Sequence, residues 1–196
     1  MPVSDVRIET SGIPGPLVAE YDAISIAFDV TSRLVPRRPN PGLPFTLTEQ
    51  PVEPPYVKDY DAIGERPRDW AGRFDTSGWA LLLARMEGEC VGGAAIAWRT
   101  SGVDLLDGRS DLALLWDIRI APAFRRRGVG RRLFEAAEDW ARARGCRELK
   151  VETQNINVAA CRFYAAFGCE LRAIRQDADP QCPGEAQFLW YKALGA

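Results

Sequence analysis

The chain has 196 residues and contains no histidine. Without histidine there is no Ser-His or Cys-His pair for nucleophilic catalysis, and zinc loses its usual nitrogen ligand. The five cysteines include no C-x-x-C pair, so reduced, buried thiols are a better interpretation than a metal site. We therefore expect no metal. The remaining chemistry must come from carboxylates, Tyr, Cys, Lys, backbone amides or a bound cofactor.

A strong charge of one sign and long apolar runs are also absent. The net charge is -2, so no global basic field favours binding to nucleic acid or to an anionic membrane. No apolar run is long enough to span a bilayer, and residues 1–10 lack a basic-then-apolar signal pattern. The length fits one domain with its own hydrophobic core. We expect a cytoplasmic, globular protein.

The pattern of hydrophobic residues sharpens after Gly78. Before it, Pro36–Pro55 is rich in proline and must be extended or looped, with Phe45–Gln50 as a candidate strand. After it, Trp79–Arg85 and Val91–Trp98 are apolar segments separated by a turn, which predicts a hairpin. Further strands are predicted at 6–10, 112–120, 148–153, 169–175 and 187–192, and helices at 16–30, about 129–140 and 157–167. This order favours a mixed α/β sheet flanked by helices.

The most informative segment is Arg125–Gly130, which lies between a strand ending at Ile120 and an amphipathic helix. Its glycines free the backbone to present several N–H groups in one direction, and the helix N-terminus adds partial positive charge. The three arginines add permanently charged, forked donors. These features suit a pyrophosphate group. Taken alone, the segment is equally compatible with a solvated basic turn or a nucleic-acid contact.

Two segments resemble the GNAT superfamily of N-acetyltransferases. Arg125-x-x-Gly128-x-Gly130 matches the acetyl-CoA loop [QR]-x-x-G-x-[GA], and Asn155–Cys169 resembles the segment N-x-x-A-x-x-x-Y-x-x-x-G-[FC]. The resemblance covers about residues 79–192. It implies a single domain with a mixed, mostly antiparallel twisted sheet flanked by helices. Within residues 1–196, the acceptor side would lie at about 1–77 and the acetyl-CoA-binding core at about 78–192.

A narrower likeness extends upstream. Phe45–Pro55 resembles the N-terminal half of streptothricin acetyltransferases, and Val151–Gln154 resembles their fifth strand. The likeness departs after Ile174, where Arg175–Pro180 replaces a more aromatic loop. The resemblance implies transfer of an acetyl group from acetyl-CoA to a primary amine of a small cationic molecule, for example a streptothricin-like antibiotic. The identity of that amine stays open.

Two alternative functions stay open. The chain could be a protein or peptide N-acetyltransferase, or a CoA-binding regulatory module without turnover. A nucleic-acid partner is not expected, because the basic cluster is short and lacks interleaved aromatic residues. Relatives of this type often dimerise through sheet edges, so a homodimer is an open expectation. Six acidic residues in the N-terminal half would suit a cationic acceptor: Glu53, Asp59, Asp61, Glu65, Asp69 and Asp75.

The resemblance also assigns the contacts with acetyl-CoA. Backbone amides of Arg127–Arg131 would hold the pyrophosphate, and the backbone of Ile118–Ile120 would pair with the pantetheine arm. One amide of that strand would stabilise the thioester oxyanion. Asn157 would contact the pantetheine. The predicted cofactor-binding residues are Ile118, Arg119, Ile120, Arg125, Arg126, Arg127, Gly128, Val129, Gly130, Arg131, Asn157, Ala160 and Tyr164.

Catalysis is expected to proceed by direct attack of the amine, with no covalent enzyme intermediate. By resemblance, Tyr164 protonates the leaving CoA thiolate; taken alone, it is better explained as a core aromatic residue with its hydroxyl satisfied. An ammonium substrate must lose a proton, and Glu152 is the first choice of base, with Asp117 the second. Each carboxylate could instead only attract the cation. Cys161 is interpreted as a packing residue.

Overall fold

The computed structural model describes residues 6–37, 40 and 44–195. In chain order its strands are β1 (Arg7–Ser11), β2 (Phe28–Arg37), β3 (Thr46–Lys58), β4 (Ala80–Met86), β5 (Glu89–Trp98), β6 (Leu112–Ile120), β7 (Glu148–Gln154), β8 (Glu170–Gln176) and β9 (Ala186–Ala193). The helices are α1 (Val18–Asp22), α2 (Trp70–Arg73), α3 (Val129–Arg142) and α4 (Val158–Ala166). Of the described helices, none is long and apolar enough to cross a membrane.

The chain divides into two compact units, each made of separate segments. Among the described residues, the first comprises 6–26, 64–149 and 194–195, and the second comprises 27–37, 40, 44–63 and 150–193. The predicted mixed α/β fold, with a mostly antiparallel sheet and flanking helices, is confirmed. The predicted division into an acceptor side and a core near residue 77 stays a prediction.

The first unit is organised around four strands in the order β1-β4-β5-β6, each antiparallel to its neighbour. The predicted hairpin of β4 and β5 is confirmed, and its turn residues Glu87 and Gly88 both have positive φ, at 51° and 88°. Helix α3 packs on β4, β5 and β6 through one apolar stripe. The buried residues of that stripe are Val129, Leu133, Phe134, Ala137, Trp140 and Ala141.

Two glycines on β5 allow close packing in this unit. A Cβ on Gly92 would lie 2.8 Å from the carbonyl oxygen of Arg119 on β6. A Cβ on Gly93 would lie 2.6 Å from the ring of Tyr21, which is fully buried. Any side chain at these positions would therefore push the sheet away from α1 or distort β6.

The second unit contains three strands in the order β7-β9-β8 and a two-stranded antiparallel ribbon of β2 and β3. The buried side chain of Asn155 ties these parts together. Its Nδ2 donates to the carbonyl oxygen of Leu34 at 3.2 Å, and its Oδ1 accepts from the amide of Ala186 at 2.9 Å. Helix α4 packs against β2 in the same unit.

Two local expectations are wrong. The helix expected at residues 16–30 is limited to α1, and Phe28 begins β2 because an alternating, strand-like pattern follows it. Strand β3 is longer than expected and contains Pro51, which a two-stranded ribbon tolerates because each strand has a free edge. On β7, Lys150 is fully buried, because both faces of this strand are covered.

Candidate active site

The segment with the three arginines makes the turn from β6 into α3. Gly128 is the N-cap residue of α3, with φ of 84°, a left-handed conformation that glycine adopts without strain. The helical hydrogen bond from Arg132 N to Gly128 O is 3.2 Å long. The amides of the first helical turn precede this ladder and have no acceptor within the helix. They form a concentrated set of N–H donors of the kind that binds phosphate.

The arginine side chains of this turn are exposed. Arg125 Nε donates to the carbonyl oxygen of Ile120 at 3.1 Å, which fixes the turn to the end of β6. The guanidinium of Arg127 lies 5.4 Å from the ring centroid of Phe124, and Arg131 pairs with Glu135 at 2.8 Å. The Arg131–Glu135 pair is exposed and contributes little to stability, so Arg131 can exchange this partner for an anion.

Strand β6 has a bulge at Trp116. Ala95 on β5 pairs with Asp117 whereas Ile96 pairs with Leu115, which leaves Trp116 as the extra residue. A bulge interrupts the ladder and re-aims neighbouring backbone groups. It lies just before Ile118, the first residue of the segment predicted to pair with the pantetheine arm.

The side chains of Asp117 and Arg119 form a buried ion pair. Arg119 Nη2 lies 2.7 Å from Asp117 Oδ2, and the two side chains are 2% and 7% exposed, respectively. Arg119 Nη1 also donates to the carbonyl oxygen of Ile24 at 3.3 Å. Burial, followed by the charge of Asp117, raises the pKa of the Tyr21 phenol well above its usual range. The side chain of Arg119 is therefore occupied, and only its backbone is available to a ligand.

Helix α4 begins as its sequence predicts. Asn157 is the N-cap residue, and its Oδ1 accepts a hydrogen bond from the amide of Ala160 at 3.1 Å. Tyr164 lies on the buried side of the helix and is 4% exposed, with the ring of Phe163 at 5.4 Å between centroids. The thiol of Cys161 is buried and contacts the carbonyl oxygen of Gln154 at 3.7 Å; burial raises its pKa to about 12. A thiol with that pKa is inert at neutral pH, which agrees with packing.

Glu152 on β7 faces a small cleft in the second unit. Gln154 Nε2 donates to Glu152 Oε1 at 2.7 Å. Burial raises the pKa of the Glu152 carboxyl; a hydrogen bond from Gln187 and the charge of Arg175 oppose this shift, and the charge of Asp179 adds to it. The cavity volume of this cleft is about 20 Å³. Its lining residues are Glu152, Gln154, Ala178, Asp179, Cys182, Glu185 and Gln187.

A second carboxylate of the cleft, Glu185, is held from the ribbon. Lys58 Nζ lies 2.5 Å from Glu185 Oε1 and 3.2 Å from Cys182 Sγ, and the hydroxyl of Tyr60 donates to Glu185 Oε2 at 2.6 Å. Burial raises the pKa of the Tyr60 phenol far above its usual range, and the hydrogen bond to Glu185 adds to this. Burial lowers the pKa of Lys58, but its hydrogen bonds to Glu185 and Cys182 outweigh that effect and raise it.

Most residues that line this cleft were not predicted from the sequence. Four of the six acidic residues predicted in the N-terminal half have local partners instead: Asp59 and Asp75 cap short turns, Asp69 accepts from the amide of Arg66, and Glu65 pairs with Arg73. Asp179 and Glu185 come from the connection between β8 and β9. The sequence marks this connection in one way: it departs there from the streptothricin acetyltransferase pattern.

Comparison with known proteins identifies the family. The acetyltransferase (GNAT) family profile matches residues 45–169, more than half of the chain. Streptothricin acetyltransferase A of Bacillus subtilis (strain 168) is 33% identical over 166 residues, which cover 84% of this chain and 87% of that protein. The chain belongs to the GNAT acetyltransferase family, and it is an acetyl-CoA-dependent acetyltransferase.

Solved structures agree with this assignment. The crystal structure of nourseothricin acetyltransferase has a TM-score of 0.73 and 25% identity, and the match covers 98% of this chain and 100% of that one. The crystal structure of a Bacillus anthracis str. Ames protein in complex with acetyl coenzyme A has a TM-score of 0.74. That match has 21% identity and covers 95% of this chain and 99% of the other, which supports the fold.

Proposed function

We propose that the protein transfers the acetyl group of acetyl-CoA to a primary amine of a small cationic molecule, of the streptothricin kind, and that Glu152 is the base. The observation that carries the proposal is the acidic cleft around Glu152. A half-buried carboxylate whose pKa is raised by burial is a stronger proton acceptor than an ordinary glutamate. The neighbouring negative charges of the cleft favour a cation over a neutral or anionic acceptor.

The residues that would hold acetyl-CoA fit that ligand. In this proposal the amides of the first turn of α3, with the exposed arginines of the turn, bind the pyrophosphate. The backbone of β6 after its bulge pairs with the pantetheine arm, and an amide there stabilises the thioester oxyanion. Asn157 and Ala160 line the path of the arm on α4. When bound, acetyl-CoA supplies the activated acetyl group and the thiolate leaving group.

The proposed proton path uses two residues. Glu152 takes a proton from the substrate ammonium, directly or through water, and the amine nitrogen then bonds to the acetyl carbon. As the carbon–sulfur bond breaks, the hydroxyl of Tyr164 gives its proton to the departing sulfur, and the second proton lost by the nitrogen restores that hydroxyl, directly or through water. Asp117 is the less suitable base, because a carboxylate that holds a buried arginine cannot be protonated without breaking that ion pair. In this scheme Asp117 orders β6 next to the bulge.

The proposal also includes the cellular location of the protein. No disulfide joins any of the five cysteines, and four of them are buried. Reduced thiols are typical of the cytoplasm. We therefore propose a cytoplasmic enzyme that modifies a small amine there. Acetylation of an antibiotic amine, the activity named for its relatives, is one such use.

The test is release of CoA from acetyl-CoA by the purified protein. The panel of acceptors contains streptothricin, aminoglycosides, polyamines and short peptides. We expect rapid release with at least one small cationic amine, together with a large loss in Glu152→Gln. Rapid release with peptides alone would replace the proposal by a protein acetyltransferase. Binding of acetyl-CoA without turnover on any amine would replace it by a regulatory module.

A further inference from the structure

We propose that Arg119 is a positioning residue for acetyl transfer: its side chain, paired with Asp117, fixes the backbone of Ile118 so that this amide donates to the thioester oxygen of bound acetyl-CoA. The inference rests on the proposed function, which places the acetyl end of acetyl-CoA against β6 after its bulge. It gives a role to a buried ion pair that the proposed proton path does not use.

The direction of the backbone groups on β6 follows from a hydrogen bond at its end. The amide of Ala121 donates to the carbonyl oxygen of Val91 on β5 at 2.9 Å. In an antiparallel ladder, the N–H groups that face a given neighbour belong to every second residue. The N–H of Ile118 is out of phase with that of Ala121, so it points away from β5. The carbonyl oxygen of Ile120 fits this alternation, because it accepts from Nε of Arg125 at 3.1 Å.

The side chains of Asp117 and Arg119 bracket Ile118 on one face of β6. Alternate residues of a strand share a face, and both Nε and Nη2 of Arg119 lie 2.7 Å from Asp117 Oδ2. A link between the residues on either side restricts the backbone dihedral angles of the residue between them. The ion pair therefore limits how far the amide of Ile118 can turn, which is how a supporting side chain orders a binding group.

The guanidinium of Arg119 is itself held by α1 and the residues that follow it. Its Nη1 donates to the carbonyl oxygen of Ile24 at 3.3 Å, and its central carbon lies 5.4 Å from the ring centroid of Tyr21. Tyr21 can approach this closely because the residue opposite Arg119 on β5 is Gly93, where a Cβ would lie 2.6 Å from the ring. The arginine thus links the position of α1 to the backbone of β6.

Stability alone does not account for the ion pair. The side chains of Arg119 and Asp117 are 2% and 7% exposed, so both charges have lost most of their hydration. That loss can exceed the attraction between the charges, and apolar replacements of buried ion pairs are often neutral or stabilising. The pair follows the bulge of β6 directly, at the segment that would hold the thioester. A need for order at that segment explains why the charges are there.

The double variant Asp117→Leu/Arg119→Met separates positioning from folding, because it leaves neither charge buried alone. The control Glu9→Leu/Arg85→Met removes an ion pair between β1 and β4 of the same unit. We would bind acetyl-CoA isotopically labelled at the thioester carbonyl and record the infrared stretch of that carbonyl, which a hydrogen bond lowers. Calorimetric titration gives the affinity for acetyl-CoA, and kcat is measured with streptothricin across the pH range.

We expect the carbonyl stretch to lie at lower frequency in the wild type and the control than in the double variant, with similar affinity for acetyl-CoA in all three. The double variant should lose about 10- to 100-fold in kcat at every pH, because the donor to the oxyanion is misplaced. Equal carbonyl frequencies in all three proteins would overturn the role of Arg119, and so would the same rise in the control.

Two further outcomes are decisive. A loss of kcat that disappears as the pH rises, with the carbonyl frequency unchanged, would make Asp117 the base and overturn the inference, because a free amine needs no base. If no amine is acetylated, the proposed function fails and the infrared comparison decides the role of Arg119 by itself. If the double variant does not fold, Arg119→Lys takes its place, since lysine keeps the charge but loses the fork of donors. A wild-type frequency in Arg119→Lys would then overturn the inference.

Discussion

Lys58 Nζ lies 2.5 Å from Glu185 Oε1, and the two side chains are only 14% and 11% exposed. Removing one partner of such a pair leaves the other charge buried without compensation. We therefore expect Lys58→Met to lower the free energy of unfolding by about 3 kcal/mol, measured by urea denaturation. The double variant Lys58→Met/Glu185→Gln should recover much of this loss, since both charges are gone. Additive losses would show that the ion pair does not couple the two residues.

The second prediction concerns the turn before α3 and its role in binding CoA. Gly128 and Gly145 flank α3 at its two ends, with φ of 84° and 75°, so valine strains the backbone at both positions. We expect Gly128→Val to abolish binding of CoA, because the amides of the first helical turn lose their arrangement. Gly145→Val is the matched control: it should lose similar stability but bind CoA normally in calorimetric titration. Normal affinity in Gly128→Val would remove the turn from the proposed site.

Local signals explain which elements could be predicted. The bounds of β6 agree with prediction, because an apolar run ends at Ala121-Pro122, and Asn157 begins α4 because its short side chain caps the helix. The acidic cleft around Glu152 could not be predicted from the sequence. Asp179 and Glu185 resemble solvated loop residues in the sequence, and Lys58 lies more than a hundred residues from its partner. Only tertiary structure brings such charges together.

The proposed role of Tyr164 is open to direct measurement. Tyr164→Phe should lower kcat by roughly one to three orders of magnitude, as expected for the loss of a general acid, and leave affinity for CoA nearly intact. Tyr191→Phe on β9 removes the same hydroxyl from another tyrosine of this unit and serves as the control. Turnover in Tyr164→Phe equal to that of the control would make Tyr164 a packing residue. A thioester donor with a more acidic thiol should rescue the variant, since its thiolate needs less protonation to leave.

The raised pKa of Glu152 predicts how activity depends on pH. The base must be ionised to act, so kcat/KM should rise with pH through a pKa above the usual value of about 4.3 for glutamate. Because Asp179 contributes to the shift, Asp179→Asn should move this rising limb to lower pH. Glu152→Gln should abolish the limb along with most of the activity. If the rising limb of the pH profile persists in Glu152→Gln, the titrating group is another residue.

The same shift predicts a change in stability with a defined sign. A carboxyl whose pKa is raised by folding binds its proton more tightly in the folded state, so its contribution to stability is present at low pH and is lost as the pH rises through the folded pKa. At neutral pH, which lies above the pKa of an unfolded glutamate, the half-buried Glu152 therefore destabilises the fold. Glu152→Gln keeps an acceptor oxygen for Gln154 and should raise Tm at pH 7. The gain should vanish below about pH 4, where the carboxyl is protonated in both states. A Tm difference that does not depend on pH would mean that burial does not perturb Glu152.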